Sequence, residues 1–354
     1  MKNRFAEIFK EIDSDRNSNQ AVDVNSRVMI VDGLNTYIRV FSSVPALNDD
    51  GDHIGGIVGF LRSIAATIRQ FKPTRCILIF DGKGGSARRK KSFGGYKANR
   101  TGKTNFKRHE EFKDLVDEQE SMRAQLNRVV QYLAHLPITL MCYDHIEADD
   151  AIAYIANEVL TQPENKVQIV STDRDFLQLV NDRISVWSPV KKKLYTPALM
   201  REEFGIDSRN YLTYRIFEGD GSDNIPGVKG ISLKSLIKYF PMITEERHVP
   251  IDELLDHAKT NATATKYKIY NVVNDALEQI QMNSDLMQLK EVDIAGNIKL
   301  MILDKFNQPI PQLNMYEFKK MFMADKLYTV IKDVDGWSSM SFNTLNAYSK
   351  LNNK

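Results

Sequence analysis

Apolar residues follow two rhythms along the chain. Short unbroken runs, VMIV at 28–31, CILIF at 76–80, ITLMC at 138–142 and VQIV at 167–170, have the length of strands buried on both faces. Between them the apolar positions recur every three or four residues, which predicts helices. IVGFLRSIAATIRQF is one such segment, stopped at Lys72-Pro73. A second runs from Glu110 to His135 as one long helix, apolar towards its end at Leu126, Val129, Val130 and Leu133; a third is AIAYIANEVL. Strand, helix and strand in repetition predict a mostly parallel α/β sheet. Beyond it, FLQLV reads as a short helix and ISVWSPVKKKLYT as a hairpin turning at Val190–Lys193. TPALMREEFG reads as a helix ended by Gly205, and the helix after GVKG opens with Ser232 as its cap. IDELLDHAKT, KYKIYNVVNDALEQIQMNSDLMQL and YEFKKMFMADKLYTVI are helical by pattern. At the start, Phe5, Ile8, Phe9 and Ile12 make one apolar helical face, followed by the polar DSDRNSNQ.

Carboxylates close these elements. VMIVD ends in Asp32 and CILIFD in Asp81; Glu147, Asp149 and Asp150 open a helix, and Asp173 and Asp175 follow the next strand. In parallel βαβ units all of those places lie on one edge of the sheet. GDGSDN adds Asp220 and Asp223. A single acid of this kind, Asp149 or Asp150 for example, is equally well read as a helix cap. The full set at strand ends and helix starts is not, because converging carboxylates repel and raise one another's pKa unless cations neutralise them. Hard divalent ions, Mg²⁺ or Mn²⁺, suit such oxygen donors.

The 354 residues suggest two domains, or one with an appendage, and with 42% apolar residues there is material for a full core. A net charge of +2 hides an uneven distribution. No acid occurs between Asp81 and Glu110, whereas Lys83, Arg88, Arg89, Lys90, Lys91, Lys97, Arg100, Lys103, Lys107 and Arg108 do, interleaved with Phe93, Tyr96 and Phe106. Starting directly after a strand-end acid, this stretch reads as a clamp for a phosphate backbone, with aromatics to stack on bases. Gly102–Thr104 spell GKT, but neither the upstream glycine of a P-loop nor its strand is present. Gly227 and Gly230, around Val228-Lys229 and followed by Lys234 and Lys238, form a tight turn suited to gripping a duplex backbone without reading sequence. Cys76 and Cys142 lack metal-ligand spacing and read as buried thiols in a reducing compartment, so structural zinc is not expected. No apolar run approaches a membrane span, and a soluble intracellular protein is expected.

In order and spacing, VDGLN, FDGK, YKANR, EADD, STDRDFLQL and GDGSDNIPGVKG resemble the motifs of the 5′-nuclease family, which includes flap endonucleases, the 5′-nuclease domain of bacterial DNA polymerase I and phage enzymes. The resemblance covers about residues 27–240 and is strongest to the phage branch, of the T-even ribonuclease H type. It implies a PIN-like α/β core over 27–205, with a basic arch at about 83–120. A helix-three-turn-helix region over 206–240, a helical C-terminal region over 241–354 and an N-terminal extension over 1–26 complete the layout. It further implies that Asp32, Asp81, Glu147 and Asp149 hold a first Mg²⁺ and that Asp150, Asp173, Asp175, Asp220 and Asp223 surround a second, some through water.

Counting from Asp81 makes Arg88 the arch cation at the scissile phosphate, whereas counting back from YKANR makes it Arg89; Lys83 assists. Tyr96, Lys97 and Arg100 match the arch motif. Gly227, Lys229, Gly230 and Lys234 match the duplex-binding turn, where relatives can hold K⁺. The segment TGKTNFKR departs from the Pro-rich continuation of bacterial relatives. The implied activity is 5′→3′ exonuclease and flap endonuclease action on DNA and RNA–DNA, including RNA primer removal, by a cytoplasmic monomer. The implied partners are a sliding clamp, met by the Phe5/Phe9 helix, and a single-strand DNA-binding protein. A PIN-type ribonuclease and a non-catalytic DNA-structure binder are the competing readings.

Overall fold

The computed structural model describes residues 23–100 and 112–352. The Phe5/Phe9 helix and the part of the basic stretch holding Lys103, Phe106, Lys107 and Arg108 lie outside the described residues.

Each of the four apolar runs became a strand, β1 (Arg27–Asp32), β2 (Arg75–Asp81), β3 (Thr139–Tyr143) and β4 (Lys166–Val170), and the first arm of the expected hairpin is β5 (Ile184–Ser188). These five are parallel, and the short β6 (Lys193–Tyr195) closes one edge antiparallel to β5, giving the order β3-β2-β1-β4-β5-β6. Chain order reverses between β1 and β4, the switch point at which an open α/β sheet leaves a crevice beyond its strand ends. In register, Asp32 lies opposite Ile79, just short of Asp81 on the neighbouring strand, and Val31 opposite Val170, just short of Asp173, so the acids gather beyond the same strand ends.

Both sheet faces are covered, which is why the strands are apolar throughout. Val28 and Ile30 face one core, Met29 and Val31 the other. The second face carries α1 (Gly33–Phe41), α2 (Gly55–Phe71) and α4 (Leu115–Leu133); α3 (Ala87–Ser92) belongs to the basic stretch. The first face carries α5 (Ala148–Tyr154), which runs on into a π-helical turn over Ile155–Val159. Next come α6 (Pro197–Phe204), α7 (Tyr211–Glu218) and α8 (Leu233–Tyr239). The C-terminal region follows as α9 (Ile251–Ala264), α10 (Lys268–Asp275), α11 (Leu277–Met287), α12 (Gly296–Asn307), α13 (Met315–Ala324) and α14 (Val334–Asn352). It shares both cores: Leu254, Val273, Ile280 and Ile302 belong to the core of the first face, whereas Phe318, Phe322, Phe342 and Leu345 belong to that of the α1–α2 side.

Two expectations are corrected. The long helix begins at Leu115 and not at Glu110, because the Asp114 carboxylate accepts from the amides of Val116 (2.8 Å) and Asp117 (2.9 Å) and caps it there. The segment from Lys266 to Leu289 is helical as expected, in two helices with Ala276 between α10 and α11. Cys76 is buried as expected, but Cys142 is exposed, since β3 is an edge strand and alternate residues turn outwards there.

Candidate active site

Backbone position explains where the acids point. Asp32 ends β1 and caps α1 through the Asn35 amide (3.1 Å), while its other oxygen accepts from Ser171 Oγ (3.0 Å). Asp81 ends β2 and accepts the Ala148 amide (2.8 Å), so a neighbouring strand caps α5 and fixes Asp149 in its first turn. Asp173 follows β4; Ser171 Oγ accepts its amide (3.0 Å), and its own Oδ1 accepts that of Asp175 (2.8 Å). Asp32, Asp81, Asp149 and Asp173 line one cavity of about 570 Å³ at the switch point, with Asn35, Lys97, Arg100 and Thr172 also in its wall.

The electrostatics reflect this crowding. Burial, and then Asp81 and Asp173, push Asp32 up to about 7 against the pull of its Asn35 and Ser171 hydrogen bonds. Asp149 is driven well above the ordinary range by burial and by Asp173, Asp32 and Asp81; Asp173 is also raised, chiefly by burial. Asp175 rises to about 7 through burial and Asp173, despite Arg215. Among the described residues, no three such side chains already clasp a single point. Even so, a crowded, all-oxygen, mutually repelling set of donors, from buried Asp32 through half-buried Asp149 and Asp173 to exposed Asp81, fits a hard divalent cation.

The pH dependence of stability follows. Without metal, the folded state keeps protons on Asp32 and Asp175 that the unfolded chain has lost, from about pH 4 to about pH 7, so stability should fall as pH rises through that window. Asp207 works in the opposite sense but at lower pH, being held at about 2 by Arg209 and Arg201. In EDTA the unfolding free energy from urea titration should therefore be lower at pH 8 than at pH 5.5, by on the order of a few kcal/mol, and saturating Mg²⁺ or Mn²⁺ should erase the difference. Equal values in EDTA would remove the mutual-repulsion account.

Asp175 and Asp220 stand slightly apart, joined by a residue the sequence reading passed over. Buried Arg215 donates from Nε to Asp175 (2.9 Å), from Nη2 to Asp220 (2.6 Å) and from Nη1 to Glu218. The available signal was a lone cation on the apolar face of YLTYRIFE, next to EGD. Burial opposes ionisation of Asp220, but Ser222 and Arg215 outweigh it and hold the group below its ordinary value. Asp223 turns to Arg100 and, at 3.9 Å, to Lys97.

The basic stretch lies over these acids. Lys97 donates to Asp223 O through its amide (2.8 Å), Asn99 Nδ2 to Gly221 O (2.8 Å) and Asn224 Nδ2 to Gly95 O (2.8 Å). YKANR and GDGSDN, far apart in sequence, are thereby joined at the cavity mouth. Arg89 is buried; it donates to both oxygens of Asp150 (2.6 and 3.0 Å), to Glu147 and, through Nε, to Leu286 O (2.9 Å). Arg88 is only half-buried, 3.9 Å from Asp150, and Lys83 is exposed. Glu147 is held below its ordinary value by Arg89 and Lys97 despite burial, and Tyr96 Oη also donates to it (3.0 Å). The structure thus brings Glu147 and Asp150 to the arch cations and not to the cavity wall formed by the four aspartates. Tyr96 requires correction as a base-stacking residue: it is buried with Ile225, Leu286 and Met287, and its ring has no free face.

The glycine turn is set by close backbone approach. A Cβ on Gly227 would lie 2.1 Å from Glu218 O, and Gly230 has φ +85°, which other residues adopt at a cost. Ser232 and Ser235 then form a reciprocal capping box at the start of α8, leaving Lys229 and Lys234 exposed beside the turn.

The chain is similar to known proteins. The chain is 25% identical over 305 residues to a 5′-3′ exonuclease of Aquifex aeolicus, covering 84% of this chain and 95% of that one. It is 29% identical over 285 residues to a 5′-3′ exonuclease of Bacillus subtilis, covering 78% and 87%. Among solved structures, a bacteriophage T5 flap endonuclease with DNA and metal ions has a TM-score of 0.60 at 21% identity, covering 85% of this chain and 99% of that one, and thus has the same fold. The family profile described as 5′-3′ exonuclease, N-terminal resolvase-like domain, matches residues 27–205, which hold the whole sheet and all the acids except Asp220 and Asp223, and the chain belongs to that family.

Proposed function

We propose that the chain is a divalent-metal-dependent, structure-specific 5′-nuclease that hydrolyses phosphodiester bonds at the 5′ ends and flaps of DNA and RNA–DNA. The observation that carries this reading is the set of converging carboxylates at the switch point, roofed by a cationic segment. Two Mg²⁺ ions, with Mn²⁺ as a substitute, would supply hydroxide at neutral pH and offset charge on the attacking and leaving oxygens. Asp32, Asp81, Asp149 and Asp173 would hold them, with Asp175 and Asp220 oriented by Arg215. Arg88 and Lys83, which retain surface access, offset charge on the scissile phosphate, and Arg89 keeps Glu147 and Asp150 in place. Exposed Lys229 and Lys234 beside the glycine turn would grip the duplex backbone, and the Gly227–Gly230 turn would hold a K⁺ that offsets phosphate charge. Relatives named as 5′-3′ exonucleases support the reading.

The same reading extends to RNA primer removal in a cytoplasm, by a monomer that works with a sliding clamp and a single-strand DNA-binding protein. No described helix is long and apolar enough to cross a membrane.

A 5′-labelled flap duplex and a nicked duplex, incubated with Mg²⁺ and with EDTA, test the proposal. Cuts near the flap junction should require metal and leave 5′-phosphate and 3′-hydroxyl ends. Affinity measured in EDTA should fall steeply with salt. Cleavage undiminished in excess EDTA, or affinity indifferent to salt, would refute the reading.

A further inference from the structure

Among the described residues a second cleft is larger than the acidic cavity. It has a volume of about 940 Å³ and runs along the outer side of α2, between the β5–β6 hairpin and the start of α14. Arg39, Arg62, Arg69, Lys192 and Lys332 line it, against a single acid, Asp333. Among the described residues none of these five cations has a carboxylate within ion-pair distance. Arg39 donates to Ser63 Oγ (3.0 Å) and Arg69 to Ser341 Oγ (2.6 Å), and the buried Nε of Arg39 has no hydrogen-bond partner. Five uncompensated cations in one concavity repel each other, an arrangement that favours a bound polyanion.

Two further observations narrow the ligand. The chain has two tryptophans, Trp187 and Trp337, and both stand in the wall of this cleft, half-buried and braced edge-on by Phe71 (5.3 Å) and by stacking on Phe318 (6.2 Å). Rigid aromatic faces among cations suit unpaired bases on a phosphate backbone. Arg39 also borders the acidic cavity, so the two sites are continuous along α1.

We propose that the cleft is a second nucleic-acid site, which holds a single strand emerging from the catalytic cavity along α2. It adds to the nuclease reading and rests on it only for the identity of the strand's source. Arg62 and Arg69, two turns apart on α2 and about 10 Å along its axis, contact phosphates, and the tryptophans stack with bases.

The tryptophans provide a readout confined to the cleft. In EDTA, oligo(dT) should quench the intrinsic fluorescence. Arg62→Glu/Arg69→Glu/Lys332→Glu, three exposed positions, should weaken that binding at least about tenfold and reduce its log–log salt slope by about 2. The corresponding triple alanine variant should move in the same direction, which guards against disturbance by the reversed charges. No quenching in the wild type, or equal quenching in both variants, would overturn the proposal, as would quenching by an acidic peptide but not by oligo(dT). Flap cleavage by the wild type, measured alongside, separates the two readings: cleavage without quenching removes the cleft site alone, and quenching without cleavage removes the nuclease alone.

Discussion

Asp173→Asn is expected to cut no faster than about a thousandth of the wild-type rate while still binding the flap duplex. Asp173 lies between the other acids: it raises Asp32, Asp149 and Asp175, and is itself raised by Asp223 and Asp220. Asparagine preserves the shape and the oxygen that accepts the Asp175 amide but removes the charge that would hold a cation. Losing several kcal/mol of stabilisation of the developing charge corresponds to about a thousandfold or more in rate. Two accompanying effects distinguish this from simple damage. Affinity for DNA in EDTA should be equal or higher, since one negative charge is gone, and the metal-free urea midpoint at pH 8 should rise, because a source of repulsion has been removed. A variant that still cleaves at a tenth of the wild-type rate would exclude Asp173 from the metal site.

Arg215→Ala should produce the largest loss of stability of any single change in the site, about 3–5 kcal/mol. Its guanidinium is buried and is shared among Asp175, Glu218 and Asp220, each on a different nitrogen. Removing it leaves carboxylates facing one another in a partly desolvated pocket, where Asp175 is already raised to about 7. Arg215→Lys should recover only part of the loss, because one ammonium cannot reproduce a planar three-point fork. Urea unfolding in EDTA measures both. Loss of less than about 1 kcal/mol in the alanine variant would mean that solvent, and not Arg215, offsets these charges.

The sheet and the acids were legible in the sequence because both obey short-range rules. A strand buried on both faces must be apolar throughout, and a charge that ends one must lie at its exposed tip, so Asp32 and Asp81 announce their own positions. What stayed hidden depended on long-range packing. Arg88 and Arg89 are adjacent and chemically identical, and only α11, presenting Leu286 O, makes one of them the buried partner. Tyr96 reads as a base-stacking ring until Ile225 and Met287 cover it. Arg215 is one cation in an apolar helix; Glu218 and Asp220 follow it closely in sequence, but the partner that ties it to the site, Asp175, lies 40 residues away and is met only in the fold. Cys142 is exposed because β3 is an edge strand, and edge position is a property of topology that no local pattern carries.

The way the chain closes on itself affects its synthesis. The last two helices supply Phe318, Phe322, Phe342 and Leu345 to the core beneath α1 and α2, and Arg69 of α2 reaches Ser341. Tyr328 and Thr329 likewise reach back to Asp49 and Leu47. While the chain is still emerging from the ribosome, one side of the sheet can be covered by residues already made, but the other waits for α13 and α14. Until α13 and α14 have emerged, a nascent chain therefore keeps Phe41, Phe60 and their neighbours incompletely shielded, a window in which chaperones or aggregation compete with folding.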